Sequence, residues 1–199
     1  MRKLGWFLFA CGWLALSNVA TAQDVDFAAG GSTLFAAHPT SASQAFQPPA
    51  EKGGVYPSIS LQYMRWGRFG LNGEFVLRYK EGLYNGFQFF RPTLYDVNGV
   101  YAYRVSDRSV VHLMAGAGAQ TAIFYNKFHG CNSGGGVCVV EANSTHVMVD
   151  FGADLRYKIW RRFFIRPEGH YYRVINNTQF HSDNLFRAGA SIGYTFGPK

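Results

Sequence analysis

The sequence lacks any long apolar run after its first 22 residues, and it shows no helical periodicity there. A membrane-spanning helix needs roughly 20 predominantly apolar residues, so the chain beyond residue 22 is not a helical membrane protein. Runs of lysine and arginine are also absent, because the 19 basic residues stand singly or in pairs and are accompanied by 12 acidic ones. A nucleic-acid-binding tract is therefore not indicated. Cysteine is scarce as well, with three residues in 199.

Residues 1–22 have the pattern of a secretory signal peptide. Arg2 and Lys3 provide a positive start, and residues 4–16 form an apolar stretch. The small-x-small sequence at residues 20–22 then supplies a cleavage site. We therefore expect the chain to be exported.

Cys11 lies inside the apolar stretch and leaves a lipoprotein signal as an alternative. The apolar run continues past this cysteine, and the better cleavage site follows it. Cleavage after residue 22 leaves residues 23–199, which is enough for one domain.

Cys131 and Cys138 remain in the mature chain and flank the sequence Asn-Ser-Gly-Gly-Gly-Val. In an exported protein this spacing predicts a disulfide that closes a small loop. His129 and His146 lie nearby, so a Cys/His metal site is the alternative, although such a site needs more ligands. We expect no metal and no other cofactor.

Strict alternation of apolar and polar residues recurs along the mature chain, and it predicts strands with one apolar face and one polar face. Residues 186–196 show the pattern best. Each segment is close to the ~10 residues that a tilted membrane strand requires. The eight predicted strands are residues 25–35, 56–65, 69–79, 94–104, 110–124, 147–157, 165–172 and 186–196.

The connections between these segments alternate between short and long. This alternation predicts an eight-stranded antiparallel up-and-down barrel with both termini at the short-turn end, which is periplasmic in bacterial outer-membrane barrels. The predicted disulfide then lies in the third external loop. The short turns are residues 66–68, 106–108 and 159–162, and the long loops are residues 38–54, 80–88, 126–144 and 175–183.

The polar faces carry six carboxylates and five guanidinium groups, which are nearly balanced in charge. We expect them to pair inside a narrow lumen, because an unpaired buried charge is costly. The inward glycines of residues 115–119 would make room for bulky charged neighbours. The expected lumen network is Asp26, Glu74, Arg78, Asp96, Arg104, Asp150, Asp154, Arg156, Arg166, Glu168 and Arg187.

The opposite faces are almost free of charge, as a lipid-facing band must be, since a charge there costs roughly 2–4 kcal/mol at the bilayer midplane. Trp66 and Trp160 both lie in short turns, where interfacial anchors are expected. A lipocalin-like soluble barrel would instead turn its apolar face inward. A soluble β-sandwich with one wet face is the other alternative, but its strands need not be so long or so uniform.

The signal peptide, the eight alternating strands and the final segment Ala188–Phe196 resemble the small outer-membrane β-barrel superfamily typified by the OmpA transmembrane domain and OmpX. The resemblance covers the whole mature chain and is one of pattern. It implies a location in the outer membrane of a Gram-negative-type bacterium, contact with outer-membrane lipids, and insertion by the barrel-assembly machinery. That machinery reads an aromatic residue at the end of the last strand. Tyr194 and Phe196 fit this signal, although residues 197–199 displace it slightly.

His170 shares the polar face of its strand with Arg166 and Glu168, which makes it a weak candidate for a general base. An ion-paired lumen histidine is the favoured interpretation. The segment His181-Ser182-Asp183 suggests a catalytic triad, but sequence-adjacent members rarely have the required geometry. A polar loop is therefore favoured there.

The short turns are basic, and as a hypothesis they bind anionic phospholipid headgroups of the inner leaflet. These basic residues are Arg65, Arg68, Arg104, Arg108, Lys158, Arg161 and Arg162, against Asp107 alone. For the protein as a whole we expect a structural or adhesive role, in which the barrel anchors four surface loops without forming a large pore. The alternatives are a lipid A-modifying enzyme and a narrow channel or small-ligand transporter. The loop-binding partner is not identified by the sequence.

Overall fold

The computed structural model describes residues 24–36, 51–84, 88–129, 137–177, 180 and 182–197. The predicted signal peptide lies outside these residues and stays a prediction. No helix within them is long and apolar enough to cross a lipid bilayer. Their regular structure consists of strands β1 Asp24–Ala36, β2 Tyr56–Trp66, β3 Phe69–Leu77, β4 Gly82–Tyr84, β5 Gln88–Arg104, β6 Ser109–His129, β7 Val137–Trp160, β8 Phe163–Val174 and β9 Asn184–Phe196.

The strands form one antiparallel sheet that closes on itself. Its order is β3-β2-β1-β9-β8-β7-β6-β5-β4, and β3 also pairs with β5 to complete the circle. The short strand β4 pairs with β5 beyond the end of β3, so β3 and β4 together occupy one position in the wall. The barrel therefore has eight strand positions, and the sequence-based prediction of an eight-stranded antiparallel barrel is confirmed.

Alternation in the sequence becomes alternation in exposure along each strand. In β8, residues Phe163, Ile165 and Tyr171 are exposed, whereas Arg166 and His170 are buried. The apolar face of the wall thus points outward and the polar face lines the lumen, as the pattern predicts. Successive side chains of a strand point to opposite sides of the sheet, so one residue of register decides which set is buried.

Three tight turns gather at one end of the barrel, together with the start of β1 and the end of β9. We call this the turn end and the opposite end the loop end. Gly67 (φ 60°) and Arg161 (φ 47°) adopt left-handed backbone conformations in two of these turns. Glycine suits such a position because it lacks a Cβ. The register also shifts next to both turns, between Met64 and Trp66 and between Lys158 and Trp160.

The structure corrects the predicted third long loop. Residues 126–129 and 137–144 are not loop but extend β6 and β7, which stay paired as far as His129 and Val137. Strand β5 accompanies β6 only to the pair Phe89 and Tyr125, so the rest of the hairpin is a two-stranded ribbon beyond the wall. Backbone hydrogen bonds suffice to pair such a ribbon, and no apolar alternation is needed.

Candidate functional site

The lumen is the candidate site, and a bidentate ion pair lies at its centre. Arg187 on β9 is 0% exposed and donates two hydrogen bonds to Glu74 on β3. The Nη1–Oε1 distance is 2.9 Å and the Nη2–Oε2 distance is 2.6 Å. Glu168 on β8 contributes a second carboxylate, 3.5 Å from Nη2. Two carboxylates therefore compensate this buried guanidinium, as a desolvated charge requires.

Arg166 on β8 forms a second node nearer the turn end. Its Nη2 lies 3.2 Å from Glu168 and donates a 2.7 Å hydrogen bond to Ser60 on β2. Its Nε lies 3.8 Å from Asp154 on β7. Asp154 in turn lies 2.8 Å from Nδ1 of His112. One guanidinium therefore connects β8, β2 and β7 across the interior.

A carboxylate group forms the third node. Asn98 on β5 donates 2.7 Å hydrogen bonds both to Asp96 on the same strand and to Asp150 on β7. Asp150 also lies 3.0 Å from Nδ1 of His170 on β8. The amide therefore links two buried acids, and the imidazole lies on the far side of one of them.

Inward glycines leave room for this network. A Cβ added to Gly118 on β6 would lie 2.7 Å from Cα and Cβ of Asp96. At Gly152 on β7, an added Cβ would lie 2.7 Å from Nδ1 of His170. These distances are shorter than atomic contacts allow, so a larger residue would displace the network side chains. The Gly-rich stretch of residues 115–119 accordingly lies in a strand, not in a phosphate-binding loop.

Arg156 and Asp26 carry the network toward the turn end. Nε of Arg156 lies 3.0 Å from Asp26, and Nη2 donates a 2.6 Å hydrogen bond to Thr195. The two remaining arginines of the expected network lie away from it. Arg104 is exposed at the turn end and has no ion-pair partner in the described part of the chain. Arg78 lies toward the loop end, with its Cζ 5.4 Å from the ring centre of Phe90.

Several network residues were not predicted from the sequence, namely His112, Asn98 and Ser60. Each lies on the inward face of its strand, which is the face that the sequence pattern assigns to polar residues. His112 precedes the inward glycines of β6, and Asn98 follows Asp96 by two residues. The period-two alternation places these three residues on the inward faces, but charge alone does not identify them, because they are neutral or only weakly basic.

Apolar side chains fill the lumen on the loop side of the ion pairs, which the sequence analysis did not predict. One buried cluster consists of Leu34, Ala36, Tyr56, Val76, Leu94, Met148, Tyr172, Val174 and Leu185. A second cluster at the loop end contains Phe90, Ala122, Phe124 and Phe180, with Tyr84 packed against it. Phe180 comes from the connection between β8 and β9, and its ring centre lies 5.2 Å from that of Phe90. A residue of a loop-end connection thus packs into the mouth of the barrel.

Glu51, from the connection between β1 and β2, also enters the barrel and is 0% exposed. Its carboxylate accepts hydrogen bonds from Nε2 of Gln120 and, at 3.4 Å, from Nδ2 of Asn177. Its backbone oxygen accepts a 3.1 Å hydrogen bond from the hydroxyl of Tyr56. Burial raises the pKa of Glu51 to about 8. This acid therefore links the β1–β2 and β8–β9 connections at the loop end to the lumen wall.

The weak catalytic candidate His170 is enclosed by other side chains. It is 1% exposed and lies between Asp150 and Glu74, whose Oε2 is 3.7 Å from its Nε2. Its ring stacks on Tyr172 with a 5.8 Å centroid distance. A general base must come within hydrogen-bond reach of the proton it removes, and this ring has no approach from either face of the wall. The geometry favours an ion-paired structural role.

The possible triad at residues 181–183 also has other contacts. His181 lies outside the described residues. Ser182 is buried and donates a 3.1 Å hydrogen bond to the backbone oxygen of Asn184. Asp183 forms a 3.3 Å ion pair with Arg173. Both described members therefore have structural partners.

Glu74, Glu168 and His170 place one ligand atom each within 4.8 Å of one another, which is close enough for a metal ion. Arg187 contacts both carboxylates and supplies the positive charge that they need. A divalent cation would meet this guanidinium at short range. The donor set therefore fits an ion-pair network better than a metal centre.

The outer wall carries a continuous apolar surface. Val97, near the middle of β5, is 62% exposed, and Leu71 and Phe151 on nearby strands are half exposed. Monomeric soluble proteins rarely expose such contiguous apolar area. At the turn end, the side chain of Trp160 is 60% exposed and stacks on Phe163.

Two site predictions concern residues whose side chains are not described. Cys131 lies outside the described residues and Cys138 is described only as part of the β7 backbone, so the disulfide stays a prediction. Trp66 ends β2 next to the first tight turn. Its role as an interfacial anchor also stays a prediction.

A closed eight-position antiparallel wall with an apolar exterior and a filled lumen is the fold of the small β-barrels of the outer-membrane type. Ail, the attachment invasion locus protein of Yersinia pestis, shares the fold with a TM-score of 0.55 at 14% identity, over 88% of this chain and 98% of that chain. Neisserial surface protein A (NspA) gives a TM-score of 0.57 at 13% identity, over 87% and 97%. The N-terminal β-barrel domain of Pseudomonas aeruginosa OprF gives 0.53 at 15% identity, over 88% and 100%.

These similarities show the fold, and the resemblance predicted from the sequence is confirmed at that level. No protein-family model and no curated protein sequence matches the chain.

Proposed function

We propose that the protein is an integral outer-membrane barrel of a Gram-negative-type bacterium whose role is structural or adhesive, with its external connections contacting a partner. The observation that carries this proposal is the combination of a filled lumen and an apolar outer wall. Arg187 and Glu74 occupy the centre of the lumen, and apolar clusters fill it toward the loop end. Such a barrel would anchor the connections between its strands at the loop end.

The outer wall supports the membrane part of the proposal. In water, this exposed apolar surface would be strongly unfavourable at roughly 25 cal/mol per Å², whereas acyl chains solvate it. The lipid partners would be the outer-membrane lipids around this wall. Tyr194 and Phe196 lie at the end of β9, where the barrel-assembly machinery would read an aromatic signal.

The loop end supports the interaction part. The ribbon formed by β6 and β7 extends beyond Phe89, the first residue of β5 that pairs with β6, and offers its backbone for contact. A disulfide between Cys131 and Cys138 would close the tip of this ribbon in an oxidising exterior. Two proteins with the same fold are described by their names as an attachment invasion locus protein and a surface protein. Those names favour the same kind of role here.

The two alternatives receive less support from the geometry. A lipid A-modifying enzyme needs reactive groups within reach of lipid, whereas His170 is enclosed by the lumen network. A channel needs a continuous aqueous path, whereas the central ion pairs and the apolar clusters block the lumen in succession.

The proposal is tested by membrane fractionation, heat-modifiable gel migration and planar-bilayer recording on the same preparation. We expect the protein in the outer-membrane fraction, with a mobility that changes on boiling because the folded barrel resists detergent. We expect negligible conductance, with a general porin as the positive control. Stable channels of porin size would overturn the filled-lumen account, and recovery in the soluble periplasmic fraction would overturn the membrane account.

A further inference from the structure

A cavity of about 550 Å³ lies at the turn end of the barrel. It adjoins a second cavity of about 430 Å³, and the two share Asp24, Arg104, Val110 and Arg156 among their lining residues. Together they form one recess, which we call the vestibule. All three tight turns, the start of β1 and the end of β9 contribute to its wall.

The vestibule is strongly basic. Six cationic side chains line the larger cavity, against the carboxylates of Asp24 and Asp107. Five of these cations have no ion-pair partner among the described residues, because Arg156 alone pairs with an acid. These five are Arg104, Arg108, Lys158, Arg161 and Arg162. Positive side chains that converge in a cleft with low-dielectric walls concentrate the potential there and attract anions.

The vestibule has a closed floor. Arg156 pairs with Asp26 and hydrogen-bonds Thr195, and His112 pairs with Asp154 just above. Beyond them, the buried Arg166 fills the lumen. The recess is therefore a dead-end pocket open at the turn end, which suits binding and does not suit passage.

We propose that the vestibule binds an anion that carries phosphate groups. Guanidinium groups present planar pairs of N–H donors that match phosphate oxygens, and arginine supplies most of the positive charge here. The volume lies within the ~300–1,000 Å³ range of small-ligand pockets, so a ligand larger than one phosphate fits. Two or more phosphate groups would neutralise the unpaired cations better than one carboxylate.

The position of the vestibule favours a soluble ligand over a lipid headgroup. Arg104 and Arg156 belong to inward positions of their strands, and Arg156 lies on the floor beside Thr195. Lipid headgroups surround the outer wall, at the level of exposed side chains such as Trp160. A headgroup would have to bend around the barrel rim to reach the floor.

The test is a pyrophosphate titration of the full barrel in zwitterionic detergent at fixed ionic strength, followed by calorimetry and by amide chemical shifts. We expect saturable binding with shifts concentrated at the three tight turns. The double variant Arg104→Gln/Arg108→Gln removes two of the lining cations and should weaken binding at least about tenfold, since each removes a charge-assisted hydrogen bond to phosphate. Arg65→Gln is the matched control, because Arg65 is exposed at the same end but does not line the vestibule.

The source of the phosphate is decided by repeating the titration in nanodiscs. Unchanged pyrophosphate binding in phosphatidylglycerol nanodiscs, relative to phosphatidylcholine ones, supports a soluble ligand. If phosphatidylglycerol weakens pyrophosphate binding to the wild type but not to the double variant, the vestibule is the phosphate site and a lipid headgroup occupies it. No saturable pyrophosphate binding in any medium, or an equal loss in Arg65→Gln and in the double variant, would overturn the proposal. Heat-modifiable migration of each variant checks that the barrel is folded.

Discussion

Arg187 and Glu74 form a two-hydrogen-bond ion pair that crosses the lumen from β9 to β3, although β1 and β2 separate these strands in the wall. The pair therefore connects parts of the barrel that share no backbone hydrogen bonds. Glu168 stands beside it as a second acceptor. This contact braces the barrel from within and closes its centre.

Removing the cation of this pair should destabilise the barrel strongly. Arg187→Leu leaves Glu74 buried without its main counter-charge and leaves Glu168 with Arg166 alone. Breaking a buried ion pair in this way costs about 3–5 kcal/mol. Urea unfolding in phosphocholine vesicles, followed by fluorescence and by gel migration, measures the loss. The double variant Arg187→Leu/Glu74→Gln should recover part of it. Arg173→Leu, at an exposed pair with Asp183, is the control and should cost less than about 1 kcal/mol. Equal unfolding midpoints for Arg187→Leu and wild type would contradict the brace.

Glu51 gives the stability a pH dependence of known sign. Burial raises the pKa of Glu51 to about 8 from 4.5, so the folded state holds a proton that the unfolded state releases. Stability from this group is therefore fully present below pH 4.5 and is lost as the pH rises toward 8. Glu51→Gln removes the titration. We expect this variant to stay within about 1 kcal/mol of wild type near pH 5 and to be more stable by roughly 4 kcal/mol near pH 9, because each unit of pKa shift corresponds to about 1.4 kcal/mol.

The neighbours of Glu51 make this substitution tolerable. Within the described part of the chain, the buried Oε1 of Gln120 and Oδ1 of Asn177 have no hydrogen-bond partner, so rotation of either amide lets it accept from the new side chain. Parallel urea unfolding of both proteins across the pH range tests the prediction. A constant difference at all pH values would show that Glu51 does not titrate in the folded barrel.

Phe180 should hold the loop end closed without being needed to block conduction. Phe180→Ala removes the loop residue that packs on Phe90 and Phe124, at a cost of about 3 kcal/mol. Hydrogen exchange should speed up at the amides around Glu51 and Asn177. Planar-bilayer conductance should remain negligible, because the Arg187 layer lies below. Phe35→Ala, on the exposed outer face, is the control and should leave those amides protected.

The barrel wall could be predicted from the sequence because the face that a side chain occupies depends only on its position within its own strand. Alternation in residues 186–196 assigns each side chain a face, and the absence of charge on one face indicates which one meets lipid. The apolar lumen clusters could not be predicted in this way. Leu34, Leu94 and Met148 lie on inward strand faces that also carry buried acids, namely Asp26, Asp96 and Asp150. These three side chains come into one cluster only because of the register between strands that are far apart in the sequence.

Connections between strands escaped prediction for a different reason. Glu51 and Phe180 belong to long polar segments, in which nothing local shows that one side chain turns into the barrel. Residues 126–129 and 137–144 lack apolar alternation, so the sequence predicts a loop where β6 and β7 form a ribbon. Its pairing is carried by backbone hydrogen bonds, which leave no pattern in the side chains.

The central claim is that the apolar wall faces acyl chains while the charged residues fill the interior. Tryptophan quenching by lipids brominated at mid-chain tests it most directly, in a Trp66→Phe/Trp160→Phe background with one new tryptophan. Val97→Trp, at the middle of the exposed face of β5, should be strongly quenched, whereas Val105→Trp, in a tight turn at the rim, should be quenched little. Equal, weak quenching at both positions in a folded barrel would contradict the account.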